Sequence, residues 1–243
     1  MSIKSVLFLT FGINIFFIIL GLLLGNTPNQ YFGKEASFIT WVSFFQILTV
    51  ANFAWKTFKL KREGSTLSIF KDPSFIWCII ALGFVFLSID EVARIHENMD
   101  RFIHKRILHM KETALSDRID DLIIGVYAFI GLGSMFNYRA ELKKYSKSIP
   151  LFTIGFVFLF AMIIVELAEN RYDFIPYMIH NEVIAKAVFE WCKVLEEVFK
   201  LFAEAMFIGA FYYCYKYTKE FLVTKIKLEH SINTKEEKAT IRR

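Results

Sequence analysis

Charged and imidazole side chains stand at the ends of two apolar segments, where a membrane-spanning helix would ordinarily have none. The apolar run 75–89 leads directly into one cluster, and the apolar run 205–215 follows the other. The residues of these clusters that could carry out chemistry are Asp90, Glu91, His96, Glu97, Glu197 and Lys200. Ionisable groups at membrane depth cost roughly 3 kcal/mol each on insertion scales, so they usually face a protein interior. The spacing therefore predicts a polar site inside a helical bundle.

Helical periodicity places the charges of each cluster on one face of a helix, at about 100° per residue. The first stripe contains Asp90, Arg94, Glu97, Arg101 and His104. The second stripe contains Glu190, Lys193, Glu197, Lys200 and Glu204. Glu91 and Glu196 lie about a quarter turn away from these stripes. We expect the two stripes to face one another, so that charges of opposite sign pair.

Three functions fit such a site, and the sequence leaves all three open. A lysine flanked by carboxylates, such as Lys200, can exchange protons or cations, which predicts the handling of protons, cations or a small polar solute. Alternatively, carboxylates, an imidazole and nearby cations could perform acid–base catalysis on a lipid or lipid-linked phosphate. The third alternative is a structural network of ion pairs without activity. Whether the chain is an enzyme is therefore undecided at this stage.

A divalent metal is one candidate cofactor, and no other cofactor is indicated. Its candidate ligands are Glu91, His96, Glu166, Glu169 and Glu196. Carboxylate metal sites in helical bundles typically use the pattern Glu-x-x-His, which does not occur in this sequence. The metal site is therefore a hypothesis based on residue type rather than on spacing.

Composition predicts the class of protein that holds these residues. The chain has 243 residues, of which 55% are hydrophobic and 28 are phenylalanine, and its mean hydropathy is +0.42. About 20 apolar residues span a bilayer. We predict an all-α, polytopic integral membrane protein with about six transmembrane helices. The predicted spans are approximately 5–25, 38–56, 75–95, 121–138, 149–168 and 194–217.

Three basic segments lie on one side of this predicted topology. They are the loops after the second and fourth spans and the segment after the sixth. Because cytoplasmic loops are enriched in Lys and Arg, both termini are predicted to be cytoplasmic. The net charge of +5 then faces anionic lipid headgroups, and no nucleic-acid partner is expected. A composition rich in Lys, Ile, Phe and Asn is typical of proteins encoded by AT-rich bacterial genomes. It therefore favours the plasma membrane (inner membrane) of a bacterium as the location.

The remaining sequence signals concern the boundaries of the domain. Residues 1–228 form a single predicted transmembrane domain, and 229–243 form a charged cytoplasmic tail that we expect to be disordered. The periodicity after the third span predicts that its helix continues as an interfacial helix over about 96–112. Asp72 and Pro73 predict the N-cap and first residue of the third span. Gly21-Leu-Leu-Leu-Gly25 is a packing motif for a partner helix or a second subunit, and a homo-oligomer is one expectation.

Overall fold

The fold is given by a computed structural model of the chain. It describes residues 1–32, 37–63, 65–103, 119–169 and 179–241. At residues 96, 97, 100, 101, 119–125, 128, 132, 167–169 and 229–241 it describes the backbone alone. Within this part of the chain all regular secondary structure is helical, which confirms the all-α class.

Long helices coincide with all six predicted apolar segments. The α-helices are α1 (Ile3–Leu24), α2 (Phe38–Arg62), α3 (Phe75–Ala93), α4 (Ile95–Phe102), α5 (Ile119–Asn137), α6 (Arg139–Leu142), α7 (Ile149–Glu169) and α8 (Glu182–Ile241). Short 3-10 segments at Ile69–Lys71 and Lys143–Ser148 precede α3 and α7.

Among the residues that the structure describes, four helical stretches are long and apolar enough to cross a membrane. They are Ile3–Leu24, Phe38–Arg62, Phe75–Ala93 and Arg139–Glu166, the last of which includes α6 and most of α7. The helices α5 and α8 are not among these four. The structure therefore identifies four candidate spans where the sequence predicts six.

Helix α8 is the central element, and α1, α2 and α7 pack along it. Helices α1 and α7 run antiparallel to α8. Along α1, Leu7 lies against Gly209 and Phe11 against Phe202 (5.1 Å between ring centroids). Along α7, Phe152 lies against Phe211 (5.1 Å) and Phe158 against Phe202 (5.7 Å). Helix α3 packs against α2 and α5 and reaches α8 through side chains such as Phe84, whose ring centroid lies 5.4 Å from that of Phe211. The end of α3 and the first half of α8 consequently lie at the same end of the bundle.

The distribution of polar and apolar side chains is inverted relative to that of a water-soluble domain. Phe8 and Ile164 are 83% and 66% exposed, whereas Asn14 and Ser43 are fully buried. Large apolar side chains on the outside and polar groups inside are typical of helices that pack within lipid. The polar groups of the bundle are therefore directed towards one another.

A break at Arg94 contradicts the prediction that the helix of the third span continues to about residue 112. Arg94 has the left-handed conformation φ 47°, ψ 52°, and it separates α3 from α4. The Asn98 side-chain amide donates a hydrogen bond to the Ala93 carbonyl (2.9 Å), which satisfies one of the acceptors exposed by the break. The helix after the break is α4, Ile95–Phe102, which covers the first part of the predicted interfacial helix, and residues 104–118 lie outside the described part of the chain.

The C-terminal segment also differs from its prediction. Helix α8 has 60 residues and continues to Ile241, so the segment after Leu228 is helical rather than disordered. At about 1.5 Å per residue this helix is roughly 90 Å long, about three times the thickness of the hydrocarbon layer. Its C-terminal part therefore projects beyond the bundle.

Helix α3 begins two residues later than predicted. Its N-cap is Ser74 and its first residue is Phe75, whereas the sequence predicted Asp72 and Pro73 for these two positions. The Asp72 carboxylate accepts a hydrogen bond from the Ser74 backbone N–H (2.8 Å), and it pairs with Arg62 at 3.0 Å. Burial of Asp72 would raise its pKa, but hydrogen bonds from Ser65, Ser74 and Arg62 outweigh this effect and hold the pKa well below its usual value.

The Gly21–Gly25 motif is used inside the chain. A Cβ atom on Gly21 would lie 2.9 Å from the ring of Phe32, which is fully buried beside this helix. The small residue therefore admits Phe32 of the same chain, and this contact carries no information about a second subunit.

Candidate functional site

Lys200 joins two helices at one end of the bundle. Its ammonium donates a hydrogen bond to Glu91 Oε1 of α3 (2.8 Å) and another to Glu197 Oε1 of α8 (2.9 Å). All three side chains are largely buried: the exposed fractions are 20% for Lys200, 17% for Glu91 and 15% for Glu197. We refer to these three residues as the Lys200 cluster. Glu197 and Lys200, which the sequence placed on one stripe, lie one turn apart on the same face of α8.

The partner from α3 is Glu91 rather than a residue of the predicted stripe. That stripe assumed one continuous helix from Asp90 to His104, and the break at Arg94 removes the common phase of its members. Asp90 is buried, and as the residue before Glu91 it points about 100° away from it around α3. Glu91, which was placed a quarter turn off the stripe, is the residue that reaches α8.

A layer of uncharged polar groups from α1 and α2 adjoins the Lys200 cluster. The Asn14 amide donates a hydrogen bond to the Leu201 carbonyl (2.7 Å), and the Gln46 amide donates one to Asn14 Oδ1 (2.5 Å). The Ser43 hydroxyl donates a hydrogen bond to Glu204 Oε1 (2.6 Å). Helices α1 and α2 thus place side chains that can donate or accept hydrogen bonds beside α8 near Glu204, one turn beyond Lys200.

The other predicted metal ligands are dispersed in the part of the structure that describes them. Glu196 lies 3.8 Å from Lys193, and Glu166 is half-buried in the last turns of α7. The side chains of His96, Glu97 and Glu169 lie outside the described part of the chain. Among the described residues, no three His, Cys, Asp or Glu side chains are grouped so that they could hold a metal ion.

The Ser88 hydroxyl bonds to the Val85 carbonyl of the preceding turn (2.7 Å), as expected for a serine within an apolar helix. This hydroxyl therefore satisfies its own helix and is not directed towards the Lys200 cluster.

A second polar cluster occupies the opposite, basic end of the bundle. Glu141 of α6 is buried, and its carboxylate binds both Lys61 of α2 and Lys144. The indole N–H of Trp77 in α3 also points to this carboxylate, at 3.4 Å. Glu141 was not among the predicted site residues, because it is one acidic residue within a basic loop. Its contacts connect three elements at the predicted cytoplasmic end.

A family model described as a domain of unknown function (DUF8692) matches residues 12–214 of the chain. The chain belongs to this family. No curated protein matches the chain, and no solved structure matches it. The DUF8692 match includes the Lys200 cluster, the polar layer around Glu204 and Glu141, and it ends before the projecting part of α8.

The uncharged polar layer of the DUF8692 region was not predicted, because the site residues were chosen from the pattern of charges along the helices. Asn14, Ser43 and Gln46 lie within segments chosen for spanning length because they contain no charge. A signal was nevertheless present, since Asn and Gln are uncommon in strongly apolar helices and polar side chains in such helices frequently bond between helices. Asn14 and Gln46 could therefore have been predicted from their amide groups, whereas Ser43 could not.

Proposed function

We propose that this chain is an integral membrane protein with six transmembrane helices, in which the basic end of the bundle and both termini face the cytoplasm. The four candidate spans and the helical segments α5 and α8 support this number. The apolar outer faces of α1 and α7 support insertion in lipid. The proposed location is the plasma membrane of a bacterium, as the composition suggests.

We further propose that the chain handles protons, cations or a small polar solute at the Lys200 cluster. The observation that carries this proposal is the placement of one ammonium against two carboxylates from two different helices, with a small exposed fraction left on each side chain. A partly accessible, exchangeable group of charges inside a bundle is the arrangement that ion and proton pathways use. The proposed position is near the extracytoplasmic face, opposite the basic end.

The partners proposed with this function are lipids. Lys56, Lys59 and Lys219 are exposed at the basic end, where anionic headgroups would neutralise them.

Flux measurements on the full chain reconstituted in lipid vesicles test the function. A pH-sensitive dye would report proton movement, and separate gradients of sodium and potassium would report cation movement. We expect flux in the wild type, its loss in Lys200→Gln, and full retention in Lys186→Gln, which alters an exposed lysine of the same helix. Absence of flux under every gradient, or equal flux in a folded Lys200→Gln variant, would contradict the proposal.

A structural role is the second candidate, and it is favoured by the bridging geometry of Lys200. The ammonium connects α3 to α8, two helices that otherwise meet through aromatic side chains such as Phe84 and Phe211. In that case Lys200→Gln would lower the thermal stability of the protein in detergent while the wild type shows no flux.

A further inference from the structure

Glu204 has a buried carboxylate oxygen without a hydrogen-bond partner. Only 7% of this residue is exposed. Its Oε1 atom accepts the hydrogen bond from Ser43, whereas its Oε2 atom is buried and has no partner within the described part of the chain. A buried carboxylate with an unsatisfied oxygen is strongly destabilising when it is ionised. This oxygen therefore needs a proton or another cation.

Three glutamates lie near Lys200, and within the described part of the chain Glu204 is the one of these three that forms no salt bridge with it. Glu91 of α3 and Glu197 of α8 both bind Lys200, which is the cation nearest to Glu204 along the helix. The helices α1 and α2 face this region with the uncharged Asn14, Ser43 and Gln46. Helix α7 packs on a different face of α8, where the ring of Phe158 lies 5.7 Å from that of Phe202.

A proton fits this position better than a metal ion does. Hard metal cations require several oxygen ligands, commonly six or more, whereas the one unsatisfied oxygen here can bind a proton directly. The ammonium of Lys200 would also repel a metal cation placed one helical turn away. The three carboxylates of Glu91, Glu197 and Glu204 lie near the single ammonium of Lys200, and the neighbouring pair of Glu196 and Lys193 (3.8 Å) adds no net charge. One bound proton therefore reduces the excess of negative charge.

Access to Glu204 is one-sided. Towards the Lys200 cluster the exposed fraction of the side chains rises to between 15% and 20%. Towards the basic end, Phe207, Ile208 and Phe211 are all buried and belong to the main apolar core. On α8 itself the next buried polar groups in that direction are Cys214 and Thr218, roughly 15 Å or more along the helix. Thr10 of α1 lies nearer, but its hydroxyl donates a hydrogen bond to the Val6 carbonyl of its own helix (2.9 Å).

We infer that Glu204 is a proton-binding carboxyl group, which takes its proton from water at the Glu91 end and is sealed from the basic end by the apolar core. This inference rests on the proposed function, because it identifies the proton as the species handled beside the Lys200 cluster. The Ser43 hydroxyl holds the carbonyl oxygen of the protonated group, and the proton resides on Oε2.

Infrared spectroscopy of the purified full chain tests this assignment. At neutral pH we expect the wild type to show the carbonyl stretching band of a protonated carboxyl group. The band should disappear in Glu204→Gln and persist in Glu220→Gln, whose carboxylate lies on the same helix with 67% of its side chain exposed. In Ser43→Ala the band should remain but move to higher frequency, because the carbonyl loses its hydrogen bond.

Two results would overturn the inference. One is a wild type without a protonated carboxyl band at neutral pH. The other is a band that is unchanged in both Glu204→Gln and Ser43→Ala. If Glu204→Gln fails to fold, the Ser43→Ala variant still decides the test.

The vesicle experiment is independent of these results. Flux without the band would refute the inference alone, and the band without flux would support the inference while refuting the proposed function.

Discussion

At the level of single side chains, Lys200 pairs with two carboxylates at once, because its ammonium lies 2.8 Å from Glu91 and 2.8 Å from Glu197. Loss of either glutamate leaves the lysine with one partner. Loss of the lysine instead leaves two partly buried carboxylates facing each other. Breaking a buried ion pair from one side usually destabilises more than removing the pair as a whole.

We therefore predict unequal effects of truncation within the Lys200 cluster. Lys200→Ala should lower the free energy of unfolding by about 3 kcal/mol, towards the lower end of values for buried pairs because these side chains keep some exposure. Glu197→Ala should cost less, and the double variant should recover part of the lysine loss. Thermal unfolding in detergent measures this order. Strictly additive losses would show that the two side chains do not interact, and negligible losses would place them in water.

The sequence predicted part of this site, and helical phase explains the limits. Glu197 and Lys200 belong to an unbroken helix, so a spacing of three residues was sufficient to pair them. Glu91 was left off the first stripe because that stripe was drawn through residues on both sides of Arg94. Nothing in the sequence around Arg94 indicated a left-handed residue there. Asn14 and Gln46 could have been selected as amides in apolar helices, but their contacts could not be predicted, because these depend on which faces of α1, α2 and α8 meet.

At the level of helices, close packing on α8 depends on glycine at particular positions. Gly155 of α7 is buried, and a Cβ atom there would lie 2.8 Å from the ring of Phe207 and 3.3 Å from Met206 Cβ. Gly83 of α3 is exposed and has no other atom within 4 Å of such a position. The same substitution should therefore have opposite effects at the two sites.

We predict that Gly155→Ala destabilises the protein by about 1–3 kcal/mol, the usual cost of overpacking a core. Gly83→Ala is the matched control, and we expect it to be neutral or stabilising by up to about 1 kcal/mol, because alanine favours the helix. Unfolding midpoints of both variants in one detergent would measure the difference. Equal effects at the two positions would contradict the packing of α7 against α8.

The start of α3 leads to a prediction about pH. Asp72 has a lowered pKa in the folded protein, so its carboxylate stabilises the fold at pH values above its unfolded pKa of about 3.9. This contribution decreases as the pH falls below about 4 towards the folded pKa. Asp72→Asn should therefore unfold at a lower temperature than the wild type at neutral pH, and the gap should shrink in acid.

Unfolding temperatures measured across a pH series would show this convergence. The control is Glu63→Gln, which changes an exposed carboxylate nine residues earlier, at the end of α2. A gap between Asp72→Asn and the wild type that stayed constant with pH would show that the ionised carboxylate is not responsible.

At the level of the whole molecule, the bundle has two polar regions separated by an apolar core. The Lys200 cluster and Glu204 lie near one end, and Glu141 with Lys61 lies at the other. Hydropathy predicted the positions of the helices well, because long apolar segments need little tertiary information. It did not predict the second polar region, which arises when α6 folds back against α2 and α3. The two ends therefore have different charge, and the positive-inside tendency assigns the basic end to the cytoplasm.

The last prediction tests this orientation with single cysteines. Thr66 and Lys147 are exposed at the basic end, whereas Thr27 and Asn181 are exposed at the end that holds the Lys200 cluster. Cys192→Ala supplies the background, because Cys78 and Cys214 are already buried. With an impermeant thiol reagent added outside intact cells, Thr27→Cys and Asn181→Cys should react, while Thr66→Cys and Lys147→Cys should react only after the membrane is opened. Labelling of Thr27→Cys and Thr66→Cys from the same side would mean that α2 does not cross the membrane, and reversed labelling of both pairs would move the Lys200 cluster to the cytoplasmic face.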